Sequence, residues 1–391
     1  MIKLIKSSFY KEKKTKQALK AFITQAEILS FDEQCKLFEK NFAIYQGRKE
    51  AVFVNSGSSA NLAIVQALLN LGYLKKGDNV GFSAITWSTN VMPLIQLGLN
   101  PVPVDVELET LNISAQTLEK TLNNSKIRML FLTNLLGFSD QIDQVQAVCK
   151  KHKIILIEDS CESMGTVYKG KKLGNFGLAS TFSFYVGHHL STIEGGMICT
   201  DDEELSAMLR IVRAHGWDRN LSELDQAKVR EEHSVNSSFY SRYTFYDLGY
   251  NLRPTEIGGF LGNFQLQFIE EIVSRRQKNF LQLSLIYKNP LFYKVKWDHL
   301  DVISNFAVPI VCKDQNTKNK LVDICNGKVE IRPIVGGNMT NQPFYKKYIK
   351  NNGEKSIVNA NLIHQNGFYF GNNPELTQKE IKYLIDLFNI D

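Results

Sequence analysis

Short, almost wholly apolar runs alternate with segments of helical periodicity through the first half of the chain. The runs at 51–54, 79–82, 101–106, 129–133 and 154–157 each read as a buried strand, and the stretches between them, clearest at 60–71 and 140–151, carry apolar residues at helical spacing. Strands apolar on both faces and linked by helices predict a mostly parallel sheet covered by helices, an α/β fold. Ligands of such sheets collect beyond the carboxyl ends of the strands. Ahead of the first strand, 11–45 predicts two helices divided near residue 30. The sheet texture continues to Cys199, and a helix over about 202–215 follows. Residues 220–250 are polar and aromatic without a period and predict a long ordered loop. A long helical pattern then runs from 253 to about 287. Beyond it, short strands at 307–311, 329–333 and 367–370 alternate with helices at 317–326 and 377–387. The pattern predicts a large domain over 1–265 and a smaller C-terminal α+β domain over 266–391.

Composition changes this picture little. A length of 391 residues suits about two domains. The net charge of +6 comes from scattered lysines, and the one dense run, KEKKTK at 11–16, lacks interleaved aromatics, so it reads as a solvated helix start and not as a nucleic-acid arm. The six cysteines show no CxxC and no clustering, which argues against a zinc ribbon, an iron–sulfur cluster or a disulfide scaffold and points to a reducing compartment. No apolar run reaches the roughly 18 residues of a membrane helix. A cytoplasmic protein without membrane or nucleic-acid partners is expected.

Four features carry candidate chemistry. Asn55-Ser56-Gly57-Ser58-Ser59 joins a strand to a helix, where free N–H groups and hydroxyls can cradle a phosphate or simply cap the helix. Asp159 and Glu162 follow the buried strand that ends near 158; a strand-end carboxylate can hold a cationic ring nitrogen, a metal or a helix cap, and no His/Cys cluster favours metal. Trp87 is either a stacking face for a planar ligand or core. The stretch TFSFYVGHHLSTIEGGM at 181–197 ends a strand in a glycine, two imidazoles and a Gly-Gly pair; His188 and His189 are reactive groups or idle loop polarity. Together with Ser183, these features describe a site for a planar, phosphorylated, cationic heterocycle, a description that pyridoxal phosphate fits.

The order SGSSAN at 56–61, TWS at 86–88, EDSCESMG at 158–165, the hairpin YKGKKLGNFG at 168–177, SFxxxHxxxxxxGG at 183–196, RAHGW at 213–217, LGYNLRPTEIGG at 248–259 and RPIVGGN at 332–338 resembles the DegT/DnrJ/EryC1 sugar aminotransferases over nearly the whole chain. The resemblance implies a fold type I pyridoxal 5'-phosphate enzyme and a homodimer with a shared active site. It assigns the cofactor phosphate to Gly57, Ser58 and Ser183, the ring face to Trp87, the pyridine nitrogen to Asp159 and the region of the cofactor hydroxyl to Glu162. Asn251 would reach the phosphate from the partner subunit. His215 and Arg219 would contact substrate; their plain reading is a helix cap and a surface loop.

One departure directs the function. Five residues after the Ser of SF the aminotransferases carry the lysine that forms the Schiff base, and here His188 stands there. In this the chain is similar to the sugar 3-dehydratases of deoxysugar biosynthesis. The resemblance then implies free pyridoxamine 5'-phosphate as the resting cofactor, His188 as the base, loss of the C3 hydroxyl from a nucleotide-linked 4-keto-6-deoxyhexose, and L-glutamate as the amino donor that recharges the cofactor. A GDP-linked 4-keto-6-deoxymannose fits best, because CDP-linked 3-dehydrases carry grouped iron–sulfur cysteines, whereas Cys312 and Cys325 stand apart here. GGNMTNQP at 336–343 keeps a CDP-linked sugar open. The alternatives are a conventional sugar aminotransferase and a cofactor-binding relative without turnover.

Overall fold

The alternation of apolar strands and helices builds a seven-stranded sheet, seen in a computed structural model that describes residues 1–350 and 357–389. Its strands are β1 (Glu50–Val54), β2 (Asn79–Ser83), β3 (Asn100–Val104), β4 (Met129–Thr133), β5 (Ile155–Asp159), β8 (Ala179–Ser183) and β9 (Gly196–Thr200), in the order β1-β9-β8-β5-β4-β2-β3. Between β5 and β8 lies the small hairpin of β6 (Val167–Tyr168) and β7 (Lys171–Lys172), where the KGKK turn falls. Only β9 runs against the rest, since it pairs antiparallel with both β1 and β8 while the other neighbours pair in parallel. A second, antiparallel sheet orders β10 (Ala307–Val311), β12 (Gly367–Gly371) and β11 (Ile331–Pro333) as β10-β12-β11.

The first helices are α1 (Glu12–Gln25), α2 (Glu33–Gln46), α3 (Gly57–Asn70), α4 (Met92–Gln96), α5 (Ala115–Leu122) and α6 (Ile142–Lys151). They are followed by α7 (Glu203–Arg213), α8 (Glu223–Glu232), α9 (Glu256–Leu266) and α10 (Ile269–Leu283). Two expectations are revised here. The region 220–250 is not all loop: α8 forms within it, and because no residue of α8 is buried it carries no apolar stripe for a sequence reading to find. The single long helix over 253–287 is two, parted at Gln267–Phe268. The first half is pressed against α2, where a Cβ on Gly259 would sit 2.5 Å from the Cys35 nitrogen and one on Gly262 would sit 2.5 Å from the Phe38 ring.

The core does not stop between the two sheets. One cluster of buried side chains runs from Val104 and Leu130 of the large sheet through Phe280 of α10 to Ile310 and Phe370 of the small one. The N-terminal segment also joins the small sheet, with Ile2 N–H donating to Lys328 O (2.7 Å) and Glu330 N–H to Ile2 O (2.8 Å).

At the carboxyl ends of β1 and β8 the chain needs glycine. Gly196 pairs with both Val54 and Ser183, and a Cβ on it would lie 2.2 Å from the Ser56 carbonyl oxygen. Backbone cannot move aside as a flexible side chain can, so Gly196→Ala is expected to lower stability by about 1–3 kcal/mol, the usual cost of overpacking. Urea unfolding checks this, and an unchanged midpoint would mean that the Ser56 turn is free to shift.

Candidate active site

Three strand ends meet beneath one cavity of about 350 Å³. Strand β1 leads through Asn55 into α3, β5 ends at Asp159, and β8 ends at Ser183. Gly57, Ser58, Trp87, Asp159, Glu162, Ser183 and His188 all line this cavity, so residues separated by more than a hundred positions share one wall.

Ser56 is the helix cap, its Oγ accepting from Ser59 N–H at 3.0 Å. That leaves Gly57 and Ser58 for the cavity. Gly57 is required by a close approach: a Cβ there would stand 2.6 Å from the Ser183 Cβ. The N-terminus of α3, Ser58 and Ser183 therefore share one wall of the cavity, which suits a phosphate. Trp87 is 54% exposed and so is not core; its ring is free for a planar ligand.

Asp159 is buried, and its environment is unusual for an anion. Oδ2 accepts from Asn61 Nδ2 (3.0 Å) and Asn90 Nδ2 (2.7 Å), and Oδ1 from Cys161 N–H (3.0 Å). All three donors are neutral, and among the described residues no lysine, arginine or histidine pairs with it. A buried carboxylate held by amides and lacking a counter-charge fits a cationic ring nitrogen. Among the described residues no group of three or more His, Cys, Asp or Glu could hold a metal. The amide-held carboxylate, the serines at the α3 N-terminus and the exposed Trp87 ring fit the donor set that pyridoxal phosphate needs.

Glu162 accepts from Leu136 N–H at 2.7 Å. Desolvation, with the Asp159 charge added, pushes its carboxyl up to about 8, which leaves it protonated at neutral pH and able to donate. The two histidines separate. His189 is buried with Nε2 at 2.8 Å from Ser304 O and takes no part in the cavity wall. His188 lines the cavity, its ring edge-on to Phe306 (centroids 5.3 Å apart) and to Tyr185 (6.0 Å), with Nδ1 lacking a hydrogen-bond partner.

Asn251, His215 and Arg219 do not reach this chain's cavity. Asn251 Oδ1 accepts from Arg253 Nε at 3.0 Å, and its backbone bridges to Ala214. His215 adopts a left-handed φ of 59° and packs on Trp217 at 4.9 Å. Arg219 stacks over Trp217 (4.0 Å) and Tyr243 (4.7 Å). The three belong to one exposed region that also carries Phe239, Tyr240 and Tyr243, which are 73%, 71% and 71% exposed.

Sequence reasoning missed several wall residues. Asn61 and Asn90, which hold Asp159, follow SGSSA and TWS closely, and Arg332 stands in the RPIVGGN motif, so a signal existed for each. Tyr369 and the N-terminal Leu4 and Ile5 also line the cavity, and nothing in local periodicity marks them, because only the small sheet brings them there.

The model of the DegT/DnrJ/EryC1/StrS aminotransferase family matches residues 10–389. The chain is similar to a GDP-4-keto-6-deoxy-D-mannose 3-dehydratase of Escherichia coli O55:H7, with 35% identity covering 93% of each chain. Two solved structures superpose with a TM-score of 0.86 at 32% identity over 100% of both chains. One is an H188N mutant of GDP-4-keto-6-deoxymannose 3-dehydratase with bound GDP-perosamine; the other is that dehydratase with a trapped PLP-glutamate geminal diamine. Among the described residues no helix is long and apolar enough to cross a membrane.

The His188 ring is pulled from water by its neighbours, which holds its pKa down at about 4; Asp159 acts against this and Arg276 with it. A lowered value means that the ring is neutral at pH 6–8, ready to accept a proton, and charges only as the pH falls towards 4. In NMR of cofactor-free protein labelled at the histidine ring carbons, the resonance missing from His188→Asn should stay in its neutral form down to pH 5. A midpoint at the ordinary 6.5 would contradict the arrangement described.

Proposed function

Because the chain belongs to the DegT/DnrJ/EryC1/StrS aminotransferase family, we propose that it departs from amine transfer at one residue and acts as a pyridoxamine/pyridoxal 5'-phosphate-dependent 3-dehydratase. The substrate is a nucleotide-linked 4-keto-6-deoxyhexose, GDP-4-keto-6-deoxymannose first, and L-glutamate recharges the cofactor. The observation that carries this reading is the residue at the lysine position. His188 occupies it, and among the described residues no lysine lines the cavity.

Each wall residue has a task in this reading. Gly57, Ser58 and Ser183 hold the cofactor phosphate, Trp87 covers its ring, and Asp159 pairs with the pyridine nitrogen and keeps it protonated. Glu162, neutral and partly withdrawn from water, donates to the cofactor's hydroxyl oxygen. When bound in its amine form, the cofactor supplies a nitrogen that condenses with the sugar's keto group and a ring that draws electrons from it. His188 moves the proton: its neutral imidazole takes it from the cofactor carbon beside that nitrogen and then delivers it to the oxygen leaving C3. Imidazole, unlike a lysine amine, does not retain the cofactor as a stable imine, so water would free the unsaturated amine and leave the cofactor as its aldehyde, which glutamate would return to the amine form. The freed amine tautomerises and a second water hydrolyses it to a 3-deoxy-4-keto sugar and ammonia. Support for the GDP sugar and for glutamate comes from what the two superposed dehydratase structures contain.

In the same reading 1–265 is the large cofactor-binding domain and 266–391 the smaller C-terminal domain, and two copies share each site. Asn251 of one copy reaches the phosphate of the other, with His215 and Arg219 near the substrate. The exposed Phe239, Tyr240 and Tyr243 are the kind of surface that a second subunit covers.

Incubation with GDP-4-keto-6-deoxymannose and glutamate should release ammonia and a 3-deoxy sugar, and accumulation of an amino sugar would favour amine transfer instead. His188→Asn should lower dehydration by about 10²–10⁴-fold while the cofactor's absorbance still titrates in. Borohydride reduction in the presence of pyridoxal phosphate should leave every active-site peptide unmodified; a pyridoxyl group fixed on one lysine would overturn the reading.

A further inference from the structure

Behind His188, on the side away from the cavity, lies a buried guanidinium. Arg276 of α10 is 3% exposed. Its Nη1 donates to Asn372 O (2.6 Å), Phe306 O (3.1 Å) and Asn305 O (3.5 Å), and its Nη2 donates to His188 O (3.3 Å). Among the described residues no carboxylate lies within ion-pairing distance of it, and its Nε has no partner. A buried arginine is normally paired, because an unpaired charge is costly to withdraw from water. Four carbonyl dipoles engage its two Nη groups while leaving its charge uncompensated.

The four carbonyls belong to three separate segments: the loop of His188, the entry to β10, and the turn after β12. Asn372 completes the joint, its Nδ2 donating to Arg276 O (2.9 Å) and to Asn305 Oδ1 (2.7 Å). Phe306, whose carbonyl Arg276 holds, also sets its ring against His188. The loop is further tied by His188 N–H to Tyr185 O (2.9 Å) and by His189 to Ser304 O. Both the backbone and the ring of His188 are thus positioned through partners of one arginine.

We propose that Arg276 is a positioning residue for His188, clamping the loop that carries the imidazole and placing behind it a fixed positive charge that opposes its protonation. The inference rests on the reading of His188 as the base.

The other charges around the ring are accounted for. On the cavity side Asp159 favours the imidazolium, Glu162 is neutral with its carboxyl near 8, and Arg332 is engaged with Glu330 at 2.7 Å. Glu194 lies on the same wall; the Cys161 thiol and the Tyr369 phenol are both pushed up by burial and stay uncharged, and Tyr185 meets the ring edge-on. On the far side, Glu375 and Tyr10 line the small gap shared with Arg276, but Glu375 is bonded to Ser7 Oγ and Tyr10 to Glu271. His189 stays neutral through burial. Burial holds Arg276 down at about 9, still far enough above neutral pH to leave it charged.

The test uses the cofactor-loaded enzyme and compares Arg276→Lys, which keeps the charge, with Arg276→Gln, which keeps some hydrogen bonds without it. The readout is the pH dependence of kcat/KM for 3-dehydration. In Arg276→Gln the acid limb should move to higher pH by about one unit; in Arg276→Lys it should stay while kcat falls about tenfold through loosened geometry. An acid limb in Arg276→Gln that coincides with the parent's, with only a uniform loss of rate, would overturn the proposal. If Arg276→Gln does not load cofactor, the His188 titration by NMR in the cofactor-free chain decides in the same direction. His188→Asn is assayed alongside: turnover surviving there would sink the base role itself, whereas an unmoved limb beside an inactive His188→Asn would sink only the role of Arg276.

Discussion

The two adjacent carboxylates at the end of β5 set the frame for everything else. Successive strand residues point to opposite faces, so Glu158 and Asp159 leave the sheet in opposite directions. Glu158, fully buried, accepts from Gly174 N–H (2.7 Å), Phe176 N–H (2.6 Å), Gly177 N–H (2.8 Å) and Asn134 Nδ2 (3.0 Å). It ties the segment after the small hairpin to the sheet. Asp159 gathers Asn61 from α3 and Asn90 from the turn after Trp87. One carboxylate is spent on architecture with four donors, and its neighbour is held in place but left without a counter-ion. The central strand therefore fixes both how the hairpin packs and where a cation is wanted.

Much of this could be read from the chain. The strands were legible because both faces of a covered parallel sheet are apolar, and the site residues were legible because glycine, serine and carboxylate at strand ends have few structural uses in common. What escaped had a physical reason in each case. Helix α8 buries nothing, so no hydrophobic stripe announces it. The break at Gln267–Phe268 separates two apolar patterns that are continuous in sequence, so periodicity alone runs the two helices together. Leu4, Ile5 and Tyr369 enter the cavity wall through long-range strand pairing, which leaves no local trace.

The paired histidines show where pattern reading stops. Both are polar residues in one turn, and spacing separates them only by register against Ser183 and Gly196. Geometry separates them by partners: His189 has a carbonyl and a buried place, His188 has aromatic edges, a free nitrogen and the cavity. The charge that faces His188 from behind was invisible in sequence, since Arg276 sits on a helix with an ordinary amphipathic pattern and its partners are backbone atoms.

The loop at residue 188 is fastened by its own peptide groups, through Tyr185 and Arg276, and the side chain it displays adds only aromatic edge contacts. A substitution at such a position alters the reacting group without disturbing the scaffold that aims it. The reacting group and the scaffold that aims it are thus held by separate sets of contacts.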